Sequence, residues 1–178
     1  MDIQPAETVT VETHLLAADE GFPNNPELPL LVYRQALGDA GPDAAGEVER
    51  LFQANGWGGS WRNGVFGYHH YHSNAHETLG VCGGRARVQF GGPSGPIVAV
   101  EAGDVAILPA GTGHKCVDAS EDFLVVGAYP TGQEDYDLIR GDPGEQAAAQ
   151  QRIAATSLPE SDPVYGQEGP LFSHWKAF

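Results

Sequence analysis

Residues 64–84 read GVFGYHHYHSNAHETLGVCGG, and four of the seven histidines in the 178-residue chain fall between His69 and His76. On an extended strand successive side chains point to opposite faces. His70 and His72 therefore share one side, and His69 and Tyr71 share the other. A His-x-His pair of this kind presents two imidazoles to one ion. A turn through Ser73-Asn74-Ala75 then brings Glu77 back beside them. A further imidazole, His114, follows the turn PAGTG at 109–113 on a later strand. Three neutral imidazoles and one carboxylate suit a divalent transition metal, and they leave coordination positions open to substrate or water. His69 is expected to point off the metal face. His76 has the opposite parity to Glu77, but turns disrupt parity, so a set with His76 in place of Glu77 stays open. The competing readings are packing roles for His69 and His76, and a metal-free structural cluster for the rest.

Working outward, residues 57–130 carry short β-type runs punctuated by glycine: VFGYHHYH, ETLGVC, RARVQF, PIVAV, DVAIL and DFLVVGAY. Strands are also expected at 8–16 and 29–37, separated by the turn-rich GFPNNPELP. Residues 43–55 read as a helix with Val48, Leu51 and Phe52 on one face and Asn55-Gly56 as its stop. A second helix is expected to start with Asp142 as N-cap, Pro143 in the first turn and Glu145 completing the cap, and to run through AAAQQRIAA. The tail after Thr156 is irregular, with SHWKAF packing back on the body. Regularly spaced short strands predict an all-β antiparallel sandwich or barrel with short flanking helices. The expectation is one domain over 1–178: a motif core at about 57–130, N-terminal strands and helix at 1–56, and a C-terminal helix and tail at 131–178.

Composition narrows the function. The 24 glycines and 13 prolines argue against a helical bundle, and 41% hydrophobic residues suffice for a core. Nine Lys and Arg against 24 Asp and Glu give a net charge of −15, a field that repels phosphate backbones and anionic lipid. Nucleic acid and membrane surfaces are thus poor partners, and a small-molecule ligand is expected. No apolar run approaches a spanning helix, MDIQPAETVT lacks the regions of a signal peptide, and two cysteines, Cys82 and Cys116, make no disulfide scaffold. A cytoplasmic setting is the default. Charge is uneven: residues 50–100 hold Arg50, Arg62, Arg85 and Arg87 but one acid, Glu77. Either buried strands exclude charge, or a neutral-to-basic interior admits an anionic ligand.

The spacing itself resembles a known family. Gly64-x5-His70-x-His72-x4-Glu77-x6-Gly84 resembles the first cupin motif, and Gly103-x5-Pro109-x-Gly111-x2-His114 resembles the second, with 18 residues between Gly84 and Gly103. Asp118 stands where the second motif usually has asparagine, which puts the strand end in doubt rather than the metal. FPNNPELPLLVYR, WRNGVFGYHHYHSNAHE and DPVYGQEGPL are similar to a group of small, uncharacterised bacterial cupins, the YjlB-like type. The resemblance implies a cupin-type antiparallel β-barrel (double-stranded β-helix, or jelly roll) with one iron, manganese, nickel or zinc ion. By motif position its ligands would be His70, His72, Glu77 and His114. It also implies a homodimer through the N-terminal strands.

The function expected is that of a metalloenzyme of dioxygenase, isomerase or lyase type acting on a small polar or acidic metabolite. The alternative is a non-catalytic small-molecule or metal-binding module. A bound Glu77 tunes the ion's charge, so a free acid or base must come from elsewhere, with Tyr68, His69 and His76 as the candidates. His76-Glu77 opens like a zinc-protease motif, but Gly80 stands where its second histidine belongs. There is no CxxC and no phosphate-binding glycine loop. Cys116 reads as a small core residue. Arg85, Arg87 and Gln89 alternate on one face, either toward solvent or along the pocket. Trp57, Trp61, Phe66 and Tyr68 are expected to pack the barrel, with Tyr68 on the parity of His70.

Overall fold

The computed structural model describes residues 1–176, built from nine strands and short helices among those residues. Two N-terminal strands, β1 (Thr10–His14) and β2 (Leu30–Arg34), precede helix α1 (Ala44–Ala54). Strands β3 (Trp57–Asn63), β4 (Glu77–Gly83), β5 (Arg85–Phe90), β6 (Ile97–Glu101), β7 (Val105–Leu108), β8 (His114–Ala119) and β9 (Leu124–Pro130) follow, then α2 (Gln146–Ala155) and α3 (Leu171–His174). They form a six-stranded sheet in the order β1-β2-β7-β4-β9-β3 and a three-stranded sheet in the order β6-β5-β8, every pairing antiparallel. The two sheets stack as a jelly roll; among the described residues no ladder closes them into a barrel.

Period-2 alternation sorts the apolar residues into two cores. Leu30 and Val32 of β2, Leu79 and Val81 of β4, and Ala106 and Leu108 of β7 face Ala86, Val88 and Phe90 of β5 across the sandwich. Their neighbours Leu31, Tyr33, Val105 and Ile107 point the other way, beneath α1 and the C-terminal segment. Strand β2 is continuously apolar because both of its faces are covered. Helix α1 supplies Val48 and Phe52 to the outer core, and Asp43 caps it by accepting from the Gly46 amide. The tail is tied down by several hydrogen bonds, two of them from deeply buried groups. Trp175, 3% exposed, donates its indole N–H to the Pro29 carbonyl, and the Asp162 carboxylate accepts from the Tyr33 hydroxyl at 2.7 Å. The last two residues of SHWKAF lie outside the described residues.

Three readings change. VFGYHHYH is not a ladder strand: His70 and Tyr71 each make a single bridge, to His114 and Ile139. Gly67 and Tyr68 lie in a bend, but the alternation holds over the bridged stretch, where His70 and His72 reach the same cluster and Tyr71 packs elsewhere. A strand that the list of β-type runs omits, β3, occupies WGGSWRN, where two glycines and an irregularity between Gly58 and Trp61 hide the period. Asp142 caps a 3-10 turn, Pro143–Glu145, and the α-helix proper starts at Gln146. The arginines of 50–100 do not line the interior as free cations. Arg50 pairs with Glu47, Arg62 with Glu49 and Arg87 with Asp118, and Arg85 is exposed. Exclusion of charge from buried strands is what the fold shows. Among the described residues no helix is long and apolar enough to cross a membrane.

Candidate metal centre

His70 and His72 sit on the extended segment between β3 and β4, Glu77 opens β4, and His114 opens β8. The backbones of His70 and His114 exchange both hydrogen bonds, at 3.2 and 2.9 Å, which sets their imidazoles side by side with centroids 4.0 Å apart. One ring nitrogen from each of His70, His72 and His114 lies within 4.8 Å of the other two, and all three residues are buried. Glu77 shares the inward parity of Leu79 and Val81 on β4, and its Oε2 lies 3.5 Å from His72 Nε2 and 3.3 Å from His114 Nε2.

The outer nitrogens decide what this cluster can hold. Each Nδ1 faces a backbone carbonyl: Tyr68 for His70 at 3.0 Å, Thr112 for His114 at 3.0 Å, and Asp137 for His72. A carbonyl only accepts, so Nδ1 carries the proton and Nε2 presents a lone pair to the centre. The Glu77 Oε1 accepts from the Tyr129 hydroxyl at 3.0 Å, while the buried Oε2 receives no hydrogen bond. The short approaches between Oε2 and the two Nε2 atoms therefore set lone pair against lone pair. Three imidazole lone pairs and an orphaned carboxylate oxygen, converging in a buried space, fit a divalent cation. With protons in place of the ion, the charges answer one another. Burial pulls His72 down, but Glu77 more than offsets it and its pKa ends raised. Burial pushes Glu77 up, but His72 and His114 outweigh it and hold its pKa well below the carboxylate range. His70 falls to about 3 because burial and the neighbouring His114 outweigh the Tyr68 carbonyl and Glu77, which act the other way.

A strap from 131 to 141 closes one side. Asn74 donates to the Asp135 carbonyl at 3.1 Å and accepts from the Asp137 amide at 2.8 Å. The Asp137 carboxylate accepts from the Ser73 amide at 2.6 Å and from its hydroxyl, and Arg152 of α2 donates to that hydroxyl at 2.6 Å. This network fixes the carbonyl that orients His72. The cavity in front of the cluster measures about 240 Å³ and is walled by Trp61, Leu79 and Tyr129, with Phe66, Tyr136 and Leu138 at its mouth. Trp61 donates to the Tyr129 hydroxyl at 2.8 Å, and the Tyr129 and Tyr136 rings stack with centroids 4.1 Å apart. Gly127 makes the wall possible, since a Cβ there would lie 2.2 Å from the Trp61 ring.

The acid/base candidates lie elsewhere. His76 has both ring nitrogens engaged: Nδ1 accepts from the Ala110 amide at 2.9 Å and Nε2 donates to the Ser157 carbonyl at 3.2 Å. It bridges the turn before His114 to the C-terminal segment and does not point at the cluster, so the set with His76 in place of Glu77 is not the one the fold assembles. His69 packs edge-on against Phe22, and Tyr68 stacks on Phe66 beneath the Arg140 guanidinium. None of the three lines the cavity. Arg85, Arg87 and Gln89 face away from it, Asp118 is the cross-strand partner of Arg87, and Cys116 packs at the margin of the inner core. Tyr129, Tyr136 and the Ser73–Asp137–Arg152 network were not anticipated. Tyr129 depends on how β4 and β9 align, and the strap has no sequence period.

Burial drives the His76 pKa down to about 4. The unfolded chain takes a proton near 6.5, so the stability of the neutral ring is present above that pH and is lost as pH falls toward 4. In metal-stripped protein, urea unfolding should show about 2 kcal/mol less stability from this residue at pH 5 than at pH 7. The measurement is the difference between the chain and its His76→Gln variant at both pH values. An unchanged difference contradicts the assignment.

Two facing antiparallel sheets, with three histidines and a glutamate gathered inside by paired glycine-rich motifs, define a cupin. The chain is 42% identical over 164 residues to the uncharacterized protein YjlB of Bacillus subtilis (strain 168), covering 92% of this chain and 96% of that one. It belongs to the YjlB family of cupins. No protein-family model matches it. Among solved structures it is similar to the dTDP-6-deoxy-D-glucose-3,5-epimerase RmlC of Legionella pneumophila (14% identity, 68% of this chain and 72% of that one, TM-score 0.39). It is also similar to a conserved double-stranded β-helix protein of Klebsiella pneumoniae (15% identity, 77% and 90%, TM-score 0.36).

Proposed function

We propose that His70, His72, Glu77 and His114 hold one divalent transition-metal ion and that the chain is a metalloenzyme acting on a small metabolite with an oxygen donor. The observation that carries this reading is the tautomer pattern, with three carbonyl-tied Nδ1 atoms leaving three Nε2 lone pairs beside the orphaned Glu77 Oε2. When bound, such an ion polarises and orients an oxygen donor, and iron in particular supports oxygen-dependent chemistry. The chain supplies the rest. Tyr129 fixes Glu77 by binding Oε1, the Asp137 carbonyl fixes the His72 ring, and the aromatic wall keeps bulk water from the inner face. Iron, manganese, nickel and zinc all suit these donors.

A second reading, a non-catalytic binding module, is favoured by one feature: Tyr68, His69 and His76, the acid/base candidates of the sequence, all lie off the cavity. The two readings separate when protein loaded with iron or manganese is offered small oxygen chelators while oxygen uptake and product are followed. Turnover supports the enzyme, whereas capture without product supports the module. We also propose a homodimer through β1, an edge strand of the larger sheet with one open side. A monomeric mass in light scattering contradicts it.

A further inference from the structure

We infer that this cavity selects a compact, planar oxygen chelator carrying one negative charge and an apolar ring, rather than a dicarboxylate or a sugar phosphate. The inference rests on the metal reading above and names the ligand class for that site. Charge comes first. Arg62 is the one Lys or Arg side chain on the wall, and its guanidinium is committed to Glu49, donating to both carboxylate oxygens at 3.0 and 2.6 Å. Glu77 is the one acid there. A divalent ion less the Glu77 charge leaves a single positive charge, which a monoanion neutralises. A dianion would leave a net negative charge in a space with no free cation to answer it, at a high desolvation cost.

The polar inventory points the same way. The Tyr129 hydroxyl is consumed by Glu77 and Trp61, so the inner wall offers few partners for the hydroxyls of a sugar, which would be buried unpaired. Beside the exposed Arg62 and Asn63, the rim is open and carries apolar surface. Phe66 (45% exposed), Leu138 (42%) and Tyr136 (37%) are three of the seven exposed large hydrophobic side chains among the described residues, and they meet at one mouth. Scattered exposure of this kind is ordinary, but convergence on a cavity is a binding signature. The stacked Tyr129–Tyr136 pair, inclined by 22°, makes one wall flat. A volume of about 240 Å³ lies below the range for drug-sized ligands and suits a single ring.

The test pairs two bidentate oxygen chelators, tropolone (a monoanion on an apolar ring) and oxalate (a dianion with no apolar body). Calorimetry on the zinc-loaded full chain, at a pH where both are ionised, gives each affinity relative to that probe's affinity for aqueous zinc. Tropolone should be favoured by about tenfold or more on this scale. The double variant Phe66→Ala/Leu138→Ala, with zinc content checked as the control for an intact site, should lose about tenfold for tropolone and less than about twofold for oxalate. Equal or reversed preference overturns the inference, as does a variant that weakens both probes alike. Failure to take up zinc removes the metal reading and this inference together, whereas zinc uptake with oxalate preferred overturns the ligand class alone.

Discussion

Replacing His72 and Glu77 together by alanine is expected to strip the protein of metal while leaving its β-rich circular dichroism intact. The two residues are half of the proposed donor set, and Glu77 supplies its one negative charge. Losing an outer partner of a ligand costs roughly 10–100-fold in affinity, and losing two ligands should exceed that range. The fold should survive for a reason visible in the ladders. Glu77 pairs with Leu108 at the very end of the β4–β7 register, and His72 belongs to no ladder. The apolar packing between the sheets continues below them through Leu79, Val81 and Val88. Removing a buried carboxylate with an orphaned oxygen also removes an electrostatic cost in the metal-free protein. A double variant that still carries stoichiometric metal contradicts the ligand set. A variant that loses both metal and circular dichroism shows the cluster to be structural.

Asp162→Ala should produce the largest loss of stability at a single site away from the metal. The Asp162 side chain is fully buried and accepts four hydrogen bonds: from the Tyr33 hydroxyl at 2.7 Å and from the amides of Val164 at 2.8 Å, Tyr165 at 3.0 Å and Leu171 at 3.2 Å. It thereby pins the C-terminal segment to the outer face of β2. Alanine leaves four donors without acceptors, at a cost of about 4 kcal/mol and a fall in melting temperature of about 10 °C. Asn in its place keeps an acceptor and should lose less. Metal content of the folded variant should be unchanged, because Asp162 lies on the opposite face of the larger sheet from Glu77. A loss below about 1 kcal/mol would mean that the tail is held by Trp175 and its apolar neighbours instead.

The histidine spacing was readable because side chains alternate along the bridged stretch at His70 and Tyr71 even though it joins no ladder. The segment at 65–72 makes only single bridges, yet His70 and His72 still share a side with each other and not with Tyr71, which packs with Phe22 and Ile139. The strands rich in β-branched residues were readable for the same local reason. Strand β3 was not, because Gly58, Gly59 and the irregularity beside them erase its period. The cavity walls depend on long-range register: Leu79 opposite Gly127 places Tyr129 beside Glu77, and no local pattern encodes that pairing. Asp118, the departure from the second motif, becomes intelligible only once β5 and β8 align it with Arg87. The charge-poor stretch behaves likewise, since Arg62 finds Glu49 on a helix earlier in the chain.

The most direct measurement is elemental analysis of tag-free protein purified without chelator, quantified per chain. About one equivalent of a divalent transition metal is expected, with the three Nε2 lone pairs and Glu77 as its donors. A chain that arrives empty and also refuses added iron, manganese, nickel and zinc contradicts a metal centre at His70, His72, Glu77 and His114, and the buried histidines would then stand as structure alone.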